Sequence, residues 1–87
     1  MNAPFKPDLL TLDQLPLGKQ ARIAQIDWDS LEHSEACRLK HFGFDEGVAV
    51  LPLHLGPFGR DPVAIRVGRM TVAIRRLQAR AIQVVPA

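Results

Sequence analysis

The chain has 87 residues, 47% hydrophobic and 23% charged, a composition that excludes a disordered or fibrous protein and favours one compact domain. Its net charge of +2 is unevenly spread, because residues 1–46 carry eight acidic and five basic side chains, whereas residues 47–87 carry six arginines and one aspartate. The sequence has no apolar run of roughly 18 residues, no signal-peptide pattern and only one cysteine, so we expect a cytoplasmic protein that is not embedded in a membrane.

The N-terminal part of the chain is predicted to contain a tail and a first strand. Residues 1–8 include two prolines and show no periodicity, so we predict a flexible tail followed by a single domain over residues 9–87. A leucine-rich turn leads into the strand Gln20–Ile26. Ile23 and Ile26 differ in parity, which predicts a bulge near the end of this strand.

One helix is predicted next, starting at Leu31 or Glu35 and ending at Phe42. Gly43 occupies the position of a left-handed C-cap residue, and Ser30 or Ser34 is the candidate N-cap. At about 100° per residue, one face of the helix is apolar and is predicted to pack on the core. This face contains Ala36, Leu39 and Phe42.

Four further strands and a short helical turn complete the prediction. Val48–Leu55 changes its inward phase, which predicts a bend, and Pro52 is the candidate break because proline donates no ladder hydrogen bond. Pro62–Val67 alternates cleanly and is followed by a two-residue hairpin turn, Gly68-Arg69. Met70, Val72 and Ile74 are predicted to point inward on the returning strand, Arg76–Arg80 to form a helical turn, and Ile82 and Val84 to point inward on a last strand.

These elements predict a mainly β fold, a small barrel of about five strands. Its one α-helix lies between the first and second barrel strands, and the short helical turn precedes the last strand.

Four segments, in this order, resemble the FeoA family. They are the leucine-rich turn over residues 12–18, the segment Arg38–Gly47 with its Arg-Leu pair and two glycines, the turn and strand Gly59–Val67, and the closing segment Ala73–Val84. The third segment departs from the family pattern, because Arg60 stands between the glycine and the aspartate of a Gly-Asp-Pro turn. The resemblance covers residues 9–85 and implies an SH3-like barrel.

The resemblance also implies a function. FeoA-like proteins are cytosolic accessory proteins of ferrous iron uptake that bind and modulate FeoB, a membrane iron permease with a cytoplasmic G domain. The family implies no catalytic residues and no required cofactor. Consistent with this, the sequence contains neither a phosphate-binding loop nor a zinc-protease motif, so we expect no enzyme.

The sharpest local pattern is a run of three metal-ligand side chains at helical spacing, His33, Cys37 and His41. Imidazole and thiolate suit Zn²⁺ or Fe²⁺, and a spacing of four residues lets adjacent ligands share one ion. The three side chains are spread over about 80° of the helix, so two ligands plus a neighbouring molecule are geometrically easier. The alternatives are a solvated helix face or a stand-alone iron- or zinc-binding module that acts as a sensor or carrier.

Partner binding is assigned to Trp28, Leu31 and Leu55, although a tryptophan in such a loop more often serves as a lid on the barrel core. Self-association through an edge strand or a bridging ion stays open.

Nucleic acid is not expected as a partner, because the arginine-rich half has only Phe58 as a base-stacking aromatic. That half contains Arg66, Arg69, Arg75, Arg76 and Arg80.

Overall fold

The structure is a computed structural model that describes residues 9–57 and 59–86. Within these ranges the chain forms six strands and two α-helices. The strands are β1 (Leu10–Thr11), β2 (Ala21–Ile26), β3 (Ala49–Leu55), β4 (Val63–Val67), β5 (Met70–Ile74) and β6 (Ile82–Pro86). The helices are α1 (His33–His41) and α2 (Arg76–Ala79), and short 3₁₀ turns occupy Leu12–Gln14 and Trp28–Ser30. The predicted tail, residues 1–8, lies outside the described residues, as does Phe58.

All six strands belong to one antiparallel sheet with the order β1-β6-β2-β3-β4-β5. The predicted mainly β architecture is therefore confirmed, with α1 between β2 and β3 and α2 directly before β6. The strands number six because Leu10 and Thr11, which the sequence places in a turn region, pair with Val84 and Gln83 of β6. Neither of the two helices is long and apolar enough to be a membrane span.

The sheet curls around a core to which each of the five longer strands contributes a branched side chain. These inward side chains are at most 2% exposed, and they are Ile23, Val50, Ile65, Ile74 and Val84. Leu39 of α1 is fully buried against the same cluster, and burial of such a side chain contributes about 1.5–3 kcal/mol. The helix is thereby fixed to the barrel through the apolar face that the periodicity predicts.

Both predicted irregularities of the strands are confirmed, but the second lies one residue later than expected. The β2–β6 register shifts between Ile23 and Gln25. The β3–β4 register shifts between Pro52 and His54, so the extra residue is Leu53. Pro52 itself is buried in the core, and its carbonyl oxygen accepts a hydrogen bond of 2.8 Å from the Gly18 amide.

The ends of α1 are set by side-chain and backbone caps. The expected N-cap, Ser30 or Ser34, was wrong: Glu32 is the N-cap, and its amide donates to the Glu35 carboxylate at 3.1 Å. Negative charge at the N-terminus of a helix is favoured by the helix dipole. A search limited to serine caps therefore misses a glutamate in this position. The C-terminal prediction is confirmed, because Gly43 has φ +93° and the Phe44 amide donates to the Leu39 carbonyl at 3.0 Å.

The β4–β5 hairpin turns at Gly68-Arg69, as predicted, with Val67 opposite Met70. The inward orientation predicted for Met70 was wrong, because its side chain is 49% exposed. Met70 is the first residue after the turn, and its side chain is exposed although Val67 opposite it is buried, whereas Val72 and Ile74 are buried. Strand parity predicts the side on which a residue lies, but it gives no information on where the core ends.

Candidate partner-binding and metal-binding residues

Trp28 and Leu31 lie together in the turn that connects β2 to α1. The Leu31 amide donates to the Trp28 carbonyl at 3.2 Å, and both side chains are half-buried and packed against the core. The ammonium group of Lys40 lies 4.9 Å from the centre of the Trp28 ring, within range of a cation–π interaction. Trp28 therefore covers the core with one side of its ring and leaves part of its surface accessible.

A groove of about 400 Å³ opens beside Trp28. Its lining combines apolar side chains with one cation and one carboxylate, and consists of Trp28, Lys40, Gly43, Phe44, Asp45 and Val48. We call this region the Trp28 surface. A tryptophan that is held by packing loses little side-chain entropy when it contacts a second protein, which is typical of interface hot spots.

Leu55 lies on a different surface. It is 39% exposed at the end of β3 and lines a groove of about 230 Å³ together with Leu15, Leu17 and Arg76. Since β2 and β3 are antiparallel, the end of β3 and the end of β2 that leads to Trp28 lie at opposite ends of this strand pair. The structure therefore brings Trp28 and Leu31 together and places Leu55 apart from them.

His33 and Cys37 form a close pair on the exposed face of α1. The Cys37 Sγ lies 3.5 Å from the His33 Nε2, and both side chains are exposed. One turn of helix separates the two residues, which is the spacing that lets neighbouring side chains approach one ion. The pair offers two donors of a type that zinc and ferrous iron accept.

His41 is not part of this pair. Eight residues of helix place it about 12 Å along the axis from His33, and its ring lies 6.2 Å from that of Phe42. In the part of the chain that the structure describes, no group of three or more His, Cys, Asp or Glu side chains is arranged to hold a metal ion. The structure thus brings together two of the three predicted ligands, and metal binding by this face stays a prediction.

A further groove, of about 490 Å³, was not identified from the sequence. Its lining comes from α1, from β5 with the residue after it, and from the loop between β3 and β4. The lining residues are Arg38, Ala73, Ile74, Arg75 and Asp61-Pro62. Arg38 and Arg75 are far apart in the chain, and only the packing of α1 on the barrel brings them to one groove. The sequence feature that could have pointed to this groove is Arg75, which directly follows the inward-facing pattern of β5.

Comparison with known proteins identifies the family of the fold. A sequence model described as the FeoA domain matches residues 10–86. Among curated proteins, none matches the chain.

Several solved structures are similar to the chain over most of its length. Stenotrophomonas maltophilia FeoA, a prokaryotic SH3 domain protein in complex with zinc, is 31% identical, with a TM-score of 0.71, and the match covers 86% of this chain and 88% of that one. FeoA from Chlorobium tepidum is 25% identical, with a TM-score of 0.74, covering 86% of this chain and 68% of that one.

IdeR from T. acidophilum is 19% identical, with a TM-score of 0.77 over 98% of this chain. The match covers 37% of that protein, and it shows a shared fold only. The S. maltophilia structure, which is that of an SH3 domain protein, confirms that the barrel is SH3-like.

Proposed function

The chain belongs to the FeoA domain family, which is associated with ferrous iron transport, and on this premise we propose that it binds and modulates a FeoB-type membrane iron permease. The observation that supports the proposal is the family match over residues 10–86, which includes all six strands and both helices. In this proposal the chain acts at the cytoplasmic G domain of the permease. It supplies a binding surface and performs no chemical step.

The Trp28 surface is the contact that we assign to the permease. Trp28 and Leu31 offer apolar area on a rigid base, and Lys40 adds a charge whose removal leaves the core intact, since its side chain is exposed. Leu55 lies on the other surface and is assigned to no part of this contact.

The experiment is a titration of the protein with the purified G domain of the permease from the same organism, without nucleotide and with a GDP or GTP analogue. We expect saturable binding in at least one nucleotide state. Trp28→Ala and Lys40→Glu should weaken it, while Leu17→Ala, which truncates a 48% exposed leucine on the other surface, should leave it unchanged. Absence of binding in every nucleotide state would remove the proposal.

A second candidate function is the binding of zinc or ferrous iron by the His33–Cys37 pair. The supporting observation is the 3.5 Å separation of the two donor atoms, and the S. maltophilia protein of the same family is in complex with zinc. Two protein ligands leave a tetrahedral ion incomplete, so a second molecule or water would supply the remaining donors. Such an ion would be bound more weakly than in a four-ligand structural site.

Calorimetric titration with zinc separates this candidate from the first. Cys37→Ala and His33→Ala should each abolish the measured heat of binding, and Ser34→Ala, on the same exposed turn, should not change it. An affinity that is the same in the wild type and in both ligand variants would eliminate the pair as a metal site.

A further inference from the structure

We propose that the groove between α1 and β5 binds an extended, acidic segment of a partner protein, which adds to the sheet as a further strand along β5. The proposal goes beyond the function above, because it concerns a different surface and holds whichever protein supplies the segment. Its basis is a free strand edge, a groove whose lining includes Ala73 of that edge, and two arginines that line the same groove.

The hairpin geometry determines which backbone groups of β5 face outward. In a two-residue hairpin the residues that flank the turn form a hydrogen-bonded pair, here Val67 and Met70, and such pairs recur at every second residue. Met70, Val72 and Ile74 therefore direct their amide and carbonyl groups toward β4. Thr71 and Ala73 direct theirs away from it, and within the described residues β5 pairs with no strand other than β4.

The groove reaches this outward edge at Ala73, while Thr71 lies outside its lining. Ala73 is among its lining residues, its side chain is small and exposed, and Arg38 lines the same groove from α1. A volume of about 490 Å³ is sufficient for several residues in an extended conformation. A groove between a helix and a free strand edge is a recurrent arrangement for peptide binding, in which main-chain hydrogen bonds supply affinity and alternate side chains supply specificity.

Charge determines the chemistry of the occupant. Arg38 and Arg75 are both exposed, and among the described ion pairs neither has an acidic partner. The one carboxylate in the lining, that of Asp61, already accepts a hydrogen bond of 3.1 Å from the Arg76 amide. A segment with alternating aspartate or glutamate side chains would pair with both guanidinium groups, whereas a basic segment would be repelled.

The test is a nitrogen-15 NMR titration of the protein with an end-capped peptide, Thr-Val-Glu-Val-Asp-Val-Glu-Val-Thr, at low ionic strength. We expect saturable shifts that are centred on the amides of Thr71 and Ala73. The same peptide with lysine at the three acidic positions should produce no saturable shift. If the shifts are spread over the surface without saturation, or the lysine peptide binds equally well, the proposal is overturned.

Single variants test the two arginines of the groove separately. Arg38→Gln and Arg75→Gln should each weaken binding by about two- to fivefold, as expected for an exposed ion pair. Arg66→Gln is the matched control, because it removes the same charge from an exposed position on β4 outside this groove. An equal loss of affinity in Arg66→Gln would mean that only net charge matters and would contradict the assigned site.

Ala73→Pro tests the strand addition itself. It removes an outward amide and leaves the β4 pairing in place, so the variant should fold and bind the peptide about five- to tenfold more weakly. Unchanged binding would exclude an added strand. Sedimentation of the protein alone shows whether it forms a dimer. If it does, and if the NMR shifts that change with protein concentration fall on Thr71 and Ala73, a second copy occupies the edge. That result would overturn the acidic-segment proposal.

Discussion

At Gly56 two segments of backbone approach so closely that a Cβ atom would lie 2.5 Å from the carbonyl oxygen of Asp61. The Gly56 amide also donates to the Pro62 carbonyl at 2.7 Å, so this contact joins the end of β3 to the start of β4. Gly43 is a glycine for a different reason, because it has open space around it but a φ of +93°. Gly56 therefore excludes a larger residue by steric contact, whereas Gly43 disfavours one through its backbone conformation.

These two causes predict different costs of substitution. Gly56→Ala should lower the free energy of unfolding by about 1–3 kcal/mol, since the clash is with backbone atoms that cannot rotate away. Gly43→Ala should cost about 1–2 kcal/mol through the left-handed conformation alone, and Gly43→Asn should recover part of that loss because asparagine tolerates it. Urea unfolding measures all three variants. A neutral effect of Gly56→Ala would contradict the close approach of the two backbone segments.

Asp13 connects the N-terminal 3₁₀ turn to α2. Its carboxylate lies 3.8 Å from the Arg76 guanidinium and 3.7 Å from that of Arg80, and it accepts a hydrogen bond from the Thr11 hydroxyl. Its side chain is only 9% exposed, although the two arginines are more accessible.

We therefore expect Asp13→Asn to reduce stability by about 0.5–1.5 kcal/mol, with a smaller loss at high salt because the arginines are partly solvated. The control is Asp29→Asn, which makes the same change at an exposed carboxylate. Thermal unfolding at low and high ionic strength measures the effect. Equal melting temperatures for the two variants at low salt would contradict the connecting role of Asp13.

Single residues also mark where sequence reasoning stops. Gln83 is 2% exposed although its neighbours in the pattern, Ile82 and Val84, are the predicted inward pair. Its side-chain oxygen accepts a hydrogen bond of 3.1 Å from Gln25, the residue opposite on β2. A buried amide of this kind depends on its partner across the sheet, which a pattern along one strand does not contain.

At the scale of elements, β5 has one neighbour whereas β2, β3, β4 and β6 each have two. The hairpin prediction was reliable because Gly68-Arg69 separates two alternating runs, and a local turn fixes the register of the strands that it joins. β1 was missed because two residues are too few for a periodicity, and its pairing with β6 joins distant parts of the chain.

The edge position of β5 predicts opposite tolerance of proline at two adjacent exposed residues. Thr71→Pro removes an outward amide and should change stability little, whereas Met70→Pro removes an amide that donates to β4 and should cost about 1–3 kcal/mol. Neither side chain is buried, so packing does not account for the difference. Chemical unfolding of both variants is the measurement. Equal costs would mean that the assignment of outward and inward groups on β5 is incorrect.

Helix α1 shows how periodicity can indicate the correct face without indicating a site. The repeat correctly placed Leu39 in the core and His33 and Cys37 on the exposed side. It also offered His41 as a third candidate ligand, although an angular projection omits the rise along the helix axis. That rise separates the first and last side chains by about 12 Å.

At the scale of the whole molecule, the mainly β class, the helix position and the final helical turn follow from local patterns and are confirmed. The family resemblance is confirmed by the match over residues 10–86. What the sequence did not reveal is tertiary: the groove between Arg38 and Arg75, and the separation of Leu55 from Trp28. Both depend on how the sheet curls, which no single segment encodes.

The role that we propose for this barrel is to serve a permease in ferrous iron uptake. Its most direct test is the initial rate of radiolabelled ferrous iron uptake in the native host after deletion of this gene, with a permease deletion as the reference for complete loss. We predict a rate that differs from that of the parent strain, is restored by the wild-type gene, and is not restored by Trp28→Ala. An uptake rate equal to that of the parent at every iron concentration, in a strain whose uptake requires the permease, would contradict the claim.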